Sequence, residues 1–189
     1  MNRQCGLNGD TKEYLNTYYH ILDNMIQGMT NVKLSDSISH NFIVQMIPHH
    51  MAAIEMSKNI LEYTENDTLC KIALDIIREQ RISIENMLCI EDKCSELCNS
   101  RRNLYCYQNR MEQIMQVMFM EMKCARATNR ISCNFMWEMI PHHEGAVKMS
   151  MTTLQFQICP ELVPILESII KSQKKGIQQM RQLLRCIGC

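Results

Sequence analysis

Along the first sixty residues, apolar side chains recur at intervals of three and four. Tyr14, Tyr18, Ile21, Leu22, Met25 and Met29 follow Asp10 and Glu13, which stand in capping-box spacing, so the pattern predicts a helix opening near Asp10. A second helix is predicted from Asp36 or Ser37 to near Tyr63, where TEND offers a new cap. A third, roughly Asp67 to Ile90, puts Leu69, Ile72, Ile76, Ile77, Ile84 and Met87 on one stripe. The sequence then begins again, with a helix from about Tyr105 to Met122, another after it, and a last one whose start is marked by Pro160 and Pro164. Six helices and no strand result. Six such stripes are buried most simply in an all-α bundle.

The second half is a copy of the first. A shift of 93 residues aligns NFIVQMIPHHMAAIEMS (Asn41 to Ser57) with NFMWEMIPHHEGAVKMS (Asn134 to Ser150), identical at ten of seventeen positions. The same shift pairs Tyr14 with Tyr107, Met25 with Met118 and Met29 with Met122 upstream, and Ile76 with Ile169, Gln80 with Gln173 and Met87 with Met180 downstream. Residues 1–93 and 94–189 are therefore expected to be two three-helix repeats related by a pseudo-twofold and packed as one compact bundle.

The repeated MIPHH places a proline inside a helix. Pro48 cannot donate to the Val44 carbonyl, nor Pro141 to that of Trp137, at roughly 3 kcal/mol in an ordinary helix interior. Met46, His49 and His50 stand at i, i+3 and i+4, so they crowd one turn and can converge on one small object, and Met139, His142 and His143 repeat this. Met56, and Met149 in the second copy, lie ten residues beyond Met46 and Met139, about 15 Å along the axis, and need partners from another helix. Met25 and Met29, and Met118 and Met122, offer them. Methionines at such spacing are either core filler or ligands. As ligands, thioether sulfur with imidazole suits Cu(I), or its mimic Ag(I), whereas hard cations want oxygen. The Glu-x-x-His spacing of a di-iron bundle is absent, and zinc held by histidine and cysteine stays open. Gln80 and Gln173 fall inside apolar stripes, where each is expected to hydrogen-bond a motif histidine or a carbonyl freed by the proline.

Composition changes this picture in two places. Twenty basic residues against twenty acidic ones give zero formal net charge, which argues against nucleic acid and membrane surfaces as partners. The start, MNRQCGLNGDTKEYL, lacks the apolar stretch of a secretory leader, so a soluble cytoplasmic protein is expected. Its eleven cysteines, an odd number, are then expected to be reduced thiols rather than a disulfide scaffold. Cys5, Cys89, Cys94, Cys98 and the CIGC of Cys186 and Cys189 lie at the ends of the repeats, open to a thiolate site, an intermolecular disulfide or no role. Met111, Met115, Met120 and Met151 are expected to be packing, and His20 and His40 incidental. No cysteine, histidine and carboxylate set and no glycine-rich phosphate loop suggests catalysis. The expectation is a non-enzymatic copper buffer or carrier, with a homo-oligomer and a copper-donating or copper-accepting protein as possible partners. The alternatives are a metal-dependent oxidase using the same pockets and a structural or oligomerising protein with buried histidines.

MIPHHMAAIEMS and MIPHHEGAVKMS, each preceded by NF and followed by a helix with Ile-Ile-x-x-Gln and a later Met, resemble the domain of unknown function 305 family over nearly the whole chain. The resemblance implies a ferritin-like helical bundle and copper or silver binding and tolerance through Met and His. It places the ligands at Met46, His49, His50 and Met56, and at Met139, His142, His143 and Met149. The family's acidic residue three places before the phenylalanine is Ser39 in one copy and Ser132 in the other.

Overall fold

The computed structural model describes residues 6–189 and is built of α-helices: α1 (Gly9–Thr30), α2 (Ile38–Leu61), α3 (Asp67–Ser95), α4 (Arg101–Lys123), α5 (Ile131–Thr153) and α6 (Leu162–Cys186). No strand occurs among the described residues. Local chemistry starts most of these helices. Asn8, Ser37, Asn66 and Ser100 each accept a backbone N–H from three residues on, which satisfies a donor that the first turn leaves free. The cap of α1 is thus Asn8, not Asp10, because the Asn8 side chain already bonds the Thr11 N–H. Pro164 falls in the first turn of α6, where no N–H is missed. Pro48 and Pro141 lie within α2 and α5, which continue past them.

Shifted by 93 residues, the bounds of α1, α2 and α3 fall within two residues of those of α4, α5 and α6. The repeated Asn of NF has one job in both halves. Asn41 accepts the Ser35 N–H at 2.7 Å and donates to the Ser35 carbonyl at 2.9 Å, and Asn134 does the same to Thr128 at 2.9 and 2.7 Å. Each asparagine pins the loop that leads into its helix, and the phenylalanine beside it is fully buried.

α2 packs on α1 and α3, α5 on α4 and α6, and the halves meet through α2 against α5 and α3 against α6. The motif helices therefore sit at the centre. Ser39 and Ser132 cross the seam: Ser39 Oγ accepts the Cys159 N–H at 2.8 Å, and the Ser132 and Thr64 hydroxyls are 3.2 Å apart.

Two expectations from the sequence are corrected here. The thiols are not all reduced, since Cys133 and Cys189 form a disulfide. The start of α5 and the chain end lie side by side, with Cα atoms 6.0 Å apart. Arg130 also holds that end through the Ile187 and Gly188 carbonyls. Cys189 therefore does not pair with Cys186, which is free and exposed, and Cys5 lies outside the described residues. Met111 and Met115 are buried as packing residues, but Met120 and Met151 are about half exposed, on faces of α4 and α5 that no helix covers. Among the described residues no helix is long and apolar enough to cross a membrane.

Candidate metal centre

All twelve Met and His candidates are buried: Met25, Met29, Met46, His49, His50 and Met56 in the first half, Met118, Met122, Met139, His142, His143 and Met149 in the second. The eight methionines belong to one continuous core. Met118 reaches the motif helix of its own half: a Cβ built on Gly145, three residues past His142, would stand 2.1 Å from the Met118 sulfur. Any residue at 145 other than glycine would displace that thioether from α5.

The histidines form a row. His49 and His142 stack across the seam with ring centroids 3.7 Å apart, and His50 and His143 flank them at 5.8 Å on either side. Adjacent helical residues point about 100° apart, and the Nε2 atoms of His49 and His50 accordingly take different partners. His49 turns to the other half, and His50 turns to α3, where its Nε2 lies 3.0 Å from Ser83 Oγ.

The stacked pair is locked reciprocally. His49 Nε2–H donates to the His142 carbonyl at 3.2 Å, and His142 Nε2–H donates to the His49 carbonyl at 3.1 Å. A carbonyl can only accept, so both rings carry the proton on Nε2 and the lone pair on Nδ1. That nitrogen has no partner in either ring, and neither do the buried Nδ1 atoms of His50 and His143. A buried polar atom left unpaired costs roughly 1–3 kcal/mol. In His49 and His142 this atom is a lone pair, and in His50 and His143 it becomes one when Nε2 carries the proton, so the row, amid thioethers, offers donors of the kind a soft cation takes. A backbone partner that fixes the far nitrogen is the usual companion of a ligating imidazole.

Among the described residues no group of three or more His, Cys, Asp or Glu side chains is placed to hold a metal ion. A chelate of three or more side chains built on this row would therefore need a donor of another kind.

Gln80 and Gln173 do not orient the histidines. Both are buried, but each Oε1 lacks a partner, and the residue that reaches His50 is Ser83. Reading along the apolar stripe singled out the glutamines and passed over Ser83, one turn further on. Glu138 was also missed. It is buried beside the motif, accepts the Tyr14 hydroxyl at 2.5 Å, and has its carboxyl pushed up to about 8 by burial, with the Tyr14 hydrogen bond pulling the other way. At the matching position of the first half Gln45 donates to the Met29 carbonyl at 3.4 Å and lies 3.8 Å from the Met115 sulfur. A glutamate aligned with a glutamine inside a buried motif was the available signal.

Burial drives every motif histidine toward its neutral form. It lowers His50 to about 3, with the neighbouring His142 charge adding to the effect, and His142 to about 4 against the raising influence of its bond to the His49 carbonyl. His49 and His143 fall well below the usual imidazole range for the same reason. The unfolded chain takes up protons on these rings near pH 6.5 while the folded one does not, so the stability they contribute is intact above that pH and is lost as the pH falls toward 4, and buried Glu138 alone acts in the opposite sense. With the unfolded state fully protonated, four such rings remove on the order of 5 kcal/mol per pH unit. The metal-free protein is expected to unfold between about pH 6 and 4, followed by far-ultraviolet circular dichroism, whereas a variant with the four motif histidines replaced by leucine loses that steep dependence.

The family described as Domain of unknown function (DUF305) matches residues 39–184. Among solved structures, CopM in the Ag-bound form obtained by soaking is similar at 26% identity and a TM-score of 0.57, covering 82% of this chain and 97% of that one. CopM in the Cu(I)-bound form is similar at 27% identity and a TM-score of 0.58, covering 78% and 95%. A DUF305 fragment from Deinococcus radiodurans, at 23% identity and a TM-score of 0.56, covers 78% and 95% and speaks to the fold alone. No curated protein matches. With a family match that spans both MIPHH motifs and all but the first helix and the chain's end, this protein belongs to the domain of unknown function 305 family.

Proposed function

We propose that this protein binds monovalent copper, or silver in its place, as cargo, through Met and His side chains, and serves as a non-enzymatic buffer or carrier. We read residues 1–93 and 94–189 as duplicated copies that each hold one ion. Met46, His49, His50 and Met56 with Met25 and Met29 would serve the first, and Met139, His142, His143 and Met149 with Met118 and Met122 the second. The observation that carries this reading is the row of four buried imidazoles, each with an unpartnered Nδ1, set in a methionine-lined core. Uncharged soft donors away from water favour a monovalent soft cation over zinc, which takes about four N, S or O ligands. The CopM structures with silver and Cu(I) support the choice of ion.

The test is an anaerobic Cu(I) titration against a chromophoric competitor, on the wild type and on the His49, His50, His142 and His143 alanine variant, each with and without prior thiol alkylation. The proposal expects tight binding by the alkylated wild type and its loss from the histidine variant. Binding that survives in the variant and vanishes on alkylation would move the site to the cysteines.

A further inference from the structure

Two faces of the protein that correspond at the 93-residue shift have opposite character. Between α5 and α6 a surface groove of about 380 Å³ has Val147 and Ile177 on its floor, 8% and 9% exposed, and Lys148, Lys174, Arg181 and Arg185 at its rim. Its one acid, Glu144, accepts a hydrogen bond from Arg181 Nη2 at 2.5 Å. Four cations against one carboxylate leave three positive charges in excess. Among the described residues Lys148, Lys174 and Arg185 have no ion-pair partner.

α2 packs on α3 as α5 packs on α6, but the matching positions there read otherwise. Met51 and Leu88 stand where Glu144 and Arg181 form their pair, and they are 56% and 54% exposed. Ile54 and Ile84 repeat the apolar floor. Glu55, Glu85 and Asp92, all exposed, replace Lys148, Gln178 and Arg185. Arg81, aligned with Lys174, and Lys58, which pairs with Glu55 at 2.7 Å, still leave this face one negative charge in excess. Single exposed apolar residues are ordinary. Here two large ones take the place of an ion pair, on an apolar floor with an acidic rim, which is the make-up of an interaction surface.

We infer that the α2–α3 face of one molecule docks in the α5–α6 groove of a second copy of this chain. Met51 and Leu88 cover the Val147 and Ile177 floor, and Glu55, Glu85 and Asp92 meet the basic rim, an arrangement that steers encounter and fixes orientation. A second copy is the partner because every molecule carries both complementary surfaces, exposed on separate helix pairs, so that they meet only between molecules. Such a contact is heterologous and continues beyond two copies unless a ring closes. It does not depend on a bound metal.

Sedimentation velocity on the full chain tests this, with the free thiols alkylated so that no intermolecular disulfide contributes. The average mass of the wild type is expected to rise with concentration. Leu88→Arg puts a cation on the acidic face, and Lys148→Glu with Lys174→Glu reverses the groove. All three residues are exposed, so both variants keep the fold, which circular dichroism checks. Each variant alone is expected to associate at least about tenfold more weakly than the wild type. Mixed in equal amounts, the two are expected to form a one-to-one dimer, because each brings the face that the other lacks. A wild type that stays monomeric up to about 100 µM, above the micromolar range in which interfaces of ordinary size already associate, overturns the proposal. So does a mixture of the two folded variants that gives no dimer, or a variant that associates like the wild type.

Discussion

Replacing His49 and His142 together by alanine is expected to lower Cu(I) affinity in both halves by at least about a hundredfold, a loss no smaller than that from disturbing a ligand's supporting partner alone. Among the described residues, these two rings alone donate a side-chain hydrogen bond from one motif helix to the other. Each keeps its Nδ1 lone pair free because Nε2 is committed to the opposite carbonyl. The fold is expected to suffer much less. Deleting a buried ring leaves a cavity at a cost of a few kcal/mol, but it also removes an unpartnered buried nitrogen worth roughly 1–3 kcal/mol. The two effects oppose each other. Competition titration and thermal melts on the same samples separate them: affinity lost with a melting temperature within several degrees of the wild type is the expected result. His49→Ala alone should affect chiefly the first half, because His142 keeps its bond to the backbone of residue 49.

Met46→Leu with Met139→Leu separates ligand from filler. Leucine conserves volume, and such swaps in a core usually cost less than about 1.5 kcal/mol. Both residues are fully buried one turn from the histidines. If they merely fill space, nothing measurable happens to binding. The account expects the double variant to fold like the wild type and to lose Cu(I) affinity by about one to two orders of magnitude, since a sulfur donor matched to a soft ion is gone. Met111→Leu is the control. Met111 is equally buried, in α4, and has no place in either proposed site, so its replacement should leave affinity unchanged.

The fold was legible because periodicity is a property of the chain itself. The stripe of Leu69, Ile72 and Ile76, and the 93-residue offset of NF and MIPHH, fix which faces turn inward, and the helix bounds follow to within a few residues. The candidate residues were legible for the same reason, since a motif inside the most apolar helix of each half has to be buried. How they meet was not legible. The His49 and His142 stack depends on how α2 crosses α5, a distance that no local spacing encodes. Assigning Gln80 to a histidine assumed that a buried amide must find a protein partner, whereas its Oε1 has none. The Cys133 and Cys189 bond joins residues 56 apart, and the odd count of cysteines was no guide to it. Glu138 escaped notice because a single acid in a helix reads as a solvated face until packing shows it pressed against Tyr14.

Anomalous diffraction from crystals loaded with Ag(I) at low molar excess locates the ion directly. The account predicts one dominant silver peak in each half, bonded to a motif-histidine Nδ1 and to methionine sulfur. Silver found only at cysteine sulfur, with all four Nδ1 atoms still bare, would contradict it.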